Sequence, residues 1–193
     1  MRILAFDLSL NSTGVTLAVD GQVDHYGLIQ GKGNGAKRLK HNRDAVMDKI
    51  DACRPDLIVF EDFSFGSDMS FVREIGAMAW MIRCELDEPG YGPFFVVSPM
   101  ALKKYCVGTA GSKKQKVTKD LILKEVFKRW GHDVVQNDIA DSLVLAHIGM
   151  AAVGEEKPQI DAQREVLAKI HAANPWLKQM KPVSIMDNGD EEY

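Results

Sequence analysis

Arg2-Ile-Leu-Ala-Phe-Asp-Leu-Ser-Leu-Asn-Ser-Thr-Gly-Val-Thr-Leu-Ala-Val-Asp-Gly21 is the stretch that decides the fold. Residues 2–6 form an apolar run of strand length that ends in Asp7, and residues 14–19 form a second such run. Asp20-Gly21 suits a type I′ turn, because both residues tolerate positive φ. Residues 22–29 follow with Val23, Tyr26 and Leu28 as apolar members, so the opening predicts a three-strand antiparallel meander.

Downstream, Ala36, Leu39, Ala45, Val46, Met47 and Ile50 recur at helical spacing until Arg54-Pro55 stops the pattern. Residues 56–60 are a buried strand running directly into Glu61-Asp62. A helix between two such strands implies parallel pairing. Residues 71–86 read as a helix with Ile75, Met78, Ala79 and Ile82 on one side, and residues 94–97 as a fifth strand. Ser98-Pro99 is a cap and first-turn pair for a short helix through Lys104, and a loop spans 108–112. A lysine-rich helix is predicted over 114–130, ended by Gly131, and an almost wholly apolar one over 137–153.

These elements specify an α/β fold: a five-stranded mixed sheet, three strands antiparallel and the others parallel, flanked by helices. Residues 1–153 are the expected domain. Residues 154–193 are an extension with a short helix over 161–172 and an acidic, disordered tail, four acids falling within 186–193.

The chain has 193 residues, 46% of them hydrophobic and 26% charged, which fits one folded domain and excludes wholesale disorder. Cys53, Cys84 and Cys106 are too few and too scattered for a disulfide framework or a zinc ribbon. No apolar run approaches a membrane span, and the N-terminus lacks signal-peptide character, so the expectation is a cytoplasmic protein with no membrane partner. The net charge is −3, yet residues 103–129 hold nine basic side chains against two acidic ones, a balance of +7 that a polyanion would see. A charge run is ordinarily a solvated face; beside an acidic site it favours DNA.

Asp138 and Asp141 are three apart, hence on one face of the apolar helix, where desolvated anions are costly unless a cation neutralises them. Taken alone, two acids in a first helical turn are as readily explained by the helix dipole. Asp7 and Glu61 shift that balance, because both end strands of an α/β sheet, where ligands bind. Four carboxylates with no histidine or cysteine among them make a hard, oxygen-rich site suited to Mg²⁺ or Mn²⁺. Two such ions could activate a water and stabilise the leaving oxygen of a phosphodiester, with no small-molecule cofactor.

Asp7-Leu-Ser-Leu-Asn-Ser-Thr-Gly14, Val59-Phe-Glu61, Val107-Gly-Thr-Ala-Gly-Ser-Lys-Lys-Gln-Lys-Val117 and Asp138-Ile-Ala-Asp-Ser-Leu-Val-Leu-Ala146 together resemble the RuvC family of Holliday junction resolvases, of the ribonuclease H-like fold. The resemblance spans roughly residues 1–150. It implies a metal-dependent endonuclease that nicks branched DNA symmetrically as a homodimer, with Asp7, Glu61, Asp138 and Asp141 holding two Mg²⁺ ions. It places the junction-contacting lysines on Lys103 and Lys114, beside Lys113 and Lys116. The family's base-stacking phenylalanine falls on Ser64, between Phe63 and Phe65. The opening Asp-Leu-Ser-Leu replaces the bacterial Asp-Pro-Gly pattern, which suits a phage-encoded branch acting in the host cytoplasm.

Two other functions compete. An ATPase of the actin and sugar-kinase superfamily would share the opening strands but needs a second similar domain. A non-catalytic junction-binding relative would not need all four acids. Four carboxylates make one active site per chain, so two symmetric nicks call for a dimer, for which the Ile75, Met78, Ala79 and Ile82 stripe is the expected contact. Met69, Trp80 and Met81 read as core or dimer residues, Ser9 and Asn11 as possible partners of a phosphate or a metal-bound water. None of the five histidines has ligand spacing, although His147 lies two turns beyond Asp141 less a residue.

Overall fold

A computed structural model of the chain describes residues 1–63, 69–111 and 116–180. Strands β1 (Arg2–Asp7), β2 (Ser12–Val19) and β3 (Gln22–Gln30) form the antiparallel meander, and Asp20 and Gly21 both adopt positive φ at its turn. Helix α1 (Gly35–Cys53) leads to β4 (Leu57–Glu61), α2 (Met69–Leu86) to β5 (Phe94–Val97), and α3 (Pro99–Val107), α4 (Lys119–Trp130), α5 (Asn137–Ala152) and α6 (Asp161–Ala173) complete the order before a 3₁₀ turn at Pro175–Gln179. The five strands lie in the order β3-β2-β1-β4-β5, with β4 parallel to both β1 and β5.

Strand alternation divides the core in two. Leu4, Phe6, Ile58 and Phe60 pack with residues of α1 and α2, among them Val46, Ile50, Met78 and Ile82. Ile3, Ala5, Leu57 and Val59 face the opposite layer, built on α5 with α3, α4 and α6. Helix α5 is buried from Ile139 to Ala152 except at Asp141, as its largely apolar sequence requires. Two glycines let it approach the sheet closely. A Cβ on Gly149 would stand 2.8 Å from Ile3 Cγ2, and one on Gly14 of β2 only 1.8 Å from the carbonyl oxygen of Asp138. Across the same contact Thr16 and Ser142 share a buried hydrogen bond of 2.8 Å.

Three expectations change. The lysine-rich helix begins at Lys119 rather than at 114, because the Thr118 hydroxyl accepts from Leu121 N–H and caps it there. Lys116 therefore precedes the helix, and Lys113 and Lys114 lie outside the described residues, as do Ser64, Phe65 and the acidic tail. Of the Ile75, Met78, Ala79 and Ile82 stripe expected at a dimer contact, half-buried Ile75 lines a cleft, and Met78, Ala79 and Ile82 are buried within the chain, because α2 needs that face for the sheet and α1. Its outer face instead exposes Ala77, Trp80, Met81 and Cys84, a second apolar stripe at i, i+3, i+4 and i+7. Finally, the helix expected over 161–172 forms as α6 but is not a separate extension: Val166, Leu167, Ile170 and, beyond it, Leu177 join the core cluster of α3 and α5. Among the described residues, no helix is long and apolar enough to cross a membrane.

Candidate metal centre

Register alone brings the first two acids together. Phe6 pairs with Phe60 across the parallel β1–β4 ladder, so Asp7 and Glu61, next along each strand, stand side by side at its carboxyl end. Both share the parity of Ala5 and Val59 and so project toward the α5 layer. Asp141, in the second turn of α5, meets them there. One carboxylate oxygen from each of Asp7, Glu61 and Asp141 lies within 4.8 Å of the others. The three come from three elements and have no covalent reason to converge.

Burial dominates their electrostatics. It pushes the Asp7 carboxyl well above its ordinary value, and neighbouring Glu61 and Asp141 add to the rise. Asp141 is raised to about 7, first by burial, then by Glu61 and Asp138, against the opposing pull of Lys119 and Lys103. Glu61 is raised by burial, partly offset by its hydrogen bond with Asp7 and by Lys103. Near neutral pH and without a cation, the group therefore holds protons that a divalent ion would displace.

Asp138 stands apart from these three. Its Oδ2 accepts a hydrogen bond from Ser12 Oγ, although its charge is still felt by Asp7, Glu61 and Asp141. His147 turns away altogether: its Nδ1 lies 2.6 Å from Glu156 Oε2 and its ring stacks on Trp130 at 4.2 Å. Asn11 Oδ1 accepts from Arg38 of α1, and the Ser9 carbonyl accepts from Thr13.

The acids floor a cleft of about 270 Å³ whose walls include Phe63, Phe71, Ile75, Lys103 and Lys119. Phe63 lies over Gly76 of α2, with the Arg83 guanidinium 6.0 Å from its ring centroid. The basic segment divides by partner. Lys104 is paired with Glu165 of α6, and Lys128 and Arg129 with Glu125, whereas Lys103 and Lys119 border the cleft.

No protein-family model matches the chain, and neither does any curated protein. Solved structures do. Thermus thermophilus RuvC, free and in complex with Holliday junction substrate, superimposes with a TM-score of 0.62 at 19% and 17% identity, covering 82% of this chain and 99% of RuvC. The fold is that of RuvC. The yeast mitochondrial Holliday junction resolvase is also similar (TM-score 0.57, 13% identity, 92% of this chain and 83% of that one). So is the fowlpox virus resolvase in its complex with Holliday junction DNA (TM-score 0.53, 15% identity, 80% and 99%). On this RuvC-like scaffold two polar residues matter that the sequence pattern did not single out: Lys119, which lines the cleft and was hidden among nine basic residues, and Ser12, outside the cleft lining, an ordinary strand serine until its hydrogen bond to Asp138, 126 residues away, is known.

Proposed function

We propose that the chain is a metal-dependent, structure-selective endonuclease of the Holliday junction resolvase type, nicking branched DNA by phosphodiester hydrolysis. The convergence of Asp7, Glu61 and Asp141 on the RuvC fold is the observation that carries this reading. An all-oxygen donor set without nitrogen or sulfur fits Mg²⁺, with Mn²⁺ as a substitute. Bound there, two ions would supply an activated water and neutralise charge at the leaving 3′ oxygen. Asp7, Glu61 and Asp141 would hold the metal, with Asp138 completing the set from the first turn of α5.

Lys103 and Lys119 flank the acids and hold backbone phosphate, with Lys116 as a further phosphate contact and Phe63 as a partner for a base; Lys113, Lys114 and Phe65, outside the described residues, are proposed as further DNA contacts. Phosphate contacts position DNA without reading its sequence, so this arrangement selects shape. Lys103→Ala and Lys119→Ala are each expected to weaken junction binding and lower the salt slope by about one. Lys104→Ala should change neither, since Glu165 already holds Lys104. Anisotropy titrations between 50 and 200 mM salt read both quantities; equal behaviour of all three variants would move the DNA face elsewhere.

One acidic cluster among the described residues and two strands to nick imply a homodimer. Its contact is the outer stripe of α2 around Trp80 and Met81, exposed by 59% and 39%. Trp80→Glu should give a monomeric mass in light scattering with the fold intact, whereas Met78→Glu should unfold the chain. Three free thiols, two of them buried, suit a reducing cytoplasm, that of a bacterial host if the chain is phage-encoded. To test the function itself, wild type and Asp138→Asn are incubated with four-way DNA in Mg²⁺ or EDTA. Both should bind in either condition, and only wild type in Mg²⁺ should cut.

A further inference from the structure

Strand β2 turns a polar edge toward the helix that carries two of the four acids. Ser12, Gly14 and Thr16 alternate onto one face. Each meets the start of α5 differently: Ser12 Oγ donates to Asp138 Oδ2, Gly14 admits the Asp138 carbonyl where no Cβ would fit, and Thr16 bonds Ser142. Gly14 is also the partner of Asp7 in the β1–β2 ladder, so this contact ties the height of α5 to the first acid. The helix cap shows what Asp138 is not doing. Gln136 occupies the N-cap position without a side-chain hydrogen bond, and the Asp138 carboxylate in the first turn bonds sideways to Ser12 of β2.

Resting on the metal-site reading above, we propose that Ser12 is the positioning residue for a second divalent ion: it ties one oxygen of Asp138 and so fixes which oxygen that carboxylate presents beside the Asp7–Glu61–Asp141 group. The first three acids are preassembled by strand register and by α5. Asp138 sits at their edge on a rotatable side chain. An aspartate free to turn about its side-chain torsions spreads its oxygens over several positions, and a hydrogen-bonded one is held in the geometry a ligand needs. Ser12 lies beyond the end of β1, where β2 pairs with β3 only, so it reaches the carboxylate without lining the cleft.

Titration of the metal-free protein with Mn²⁺, with free ion counted by electron paramagnetic resonance, tests this without reference to cleavage. Wild type is expected to take up two ions. Ser12→Ala should keep the first at its wild-type affinity and weaken the second by about tenfold or more. Ser12→Thr, which restores a hydroxyl on a β-compatible residue, should recover it. Two ions bound by Ser12→Ala with unchanged affinities would overturn the inference. Equal weakening of both would also overturn it, since Ser12 would then act through the packing of α5. If wild type binds no Mn²⁺ the metal-site reading itself falls, a result distinct from a wild-type pair of ions that Ser12→Ala leaves untouched.

Discussion

Asp141→Asn is expected to yield a protein that is more stable without metal and unable to cut DNA. The sign follows from the folded-state pKa. Asp141 rises from an ordinary 3.8 to about 7, so between those values the native state binds more protons than the unfolded chain, and stability falls as pH rises through that window. Above about 7 the whole penalty is present. A displacement of that size corresponds to roughly 4 kcal/mol as an upper bound. Allowing for the cost of burying an amide, a gain of about 2 kcal/mol remains, or roughly 4–8 °C in Tm for a chain of this length. Cleavage should drop by about 10³-fold or more, the several kcal/mol that metal coordination supplies to phosphoryl chemistry. Calorimetry at pH 8 in EDTA, beside a junction-cutting assay in Mg²⁺, measures both; a destabilised variant or one that still cuts would remove Asp141 from the proposed role.

Metal uptake should depend steeply on pH for the same reason. A divalent ion must displace the protons that burial and mutual repulsion place on Asp141 and Asp7. Asp141 alone predicts an affinity that rises by about tenfold per pH unit below about 7, and Asp7, also raised by burial and by its neighbours, adds to the slope. Isothermal titration with Mn²⁺ at pH 5.5, 6.5 and 7.5, in buffers of different ionisation enthalpy, reads the affinity and the protons released. Affinity independent of pH, with no proton release, would mean that the ion binds elsewhere.

Much of this was legible in the residues because the decisive signals are local. A strand of five apolar residues ending in an acid, a turn pair that tolerates positive φ, and a proline after a capping serine each specify their own geometry, and each appears at the expected residue: β1 ends at Asp7, Asp20-Gly21 turns, and Ser98 caps α3. Strand parity then carried Asp7 and Glu61 to one face. What could not be read depends on long-range contacts. Periodicity shows that α2 has an apolar stripe but not which side faces the sheet, and α2 is apolar on both, so Met78, expected at a dimer contact, lies in the core while Trp80 is exposed. The start of α4 was misplaced because a lysine run has no periodicity to contradict a helix, and only the Thr118 cap decides it. The hydrogen bond between Asp138 of α5 and Ser12 of β2 and the docking of α6 on α3 are likewise properties of the folded chain.

The central claim is that this acidic cleft cuts branched DNA with a divalent metal. It is tested most directly by comparing strand cutting of a labelled four-way junction, a fork and a linear duplex of the same sequence under single-turnover conditions, in Mg²⁺ and in EDTA. The account predicts paired nicks at symmetric positions near the branch point of the four-way substrate in Mg²⁺, little cutting of the linear duplex, and none of either in EDTA. Cutting that persists in EDTA, or proceeds as fast on the linear duplex as on the junction, would contradict it.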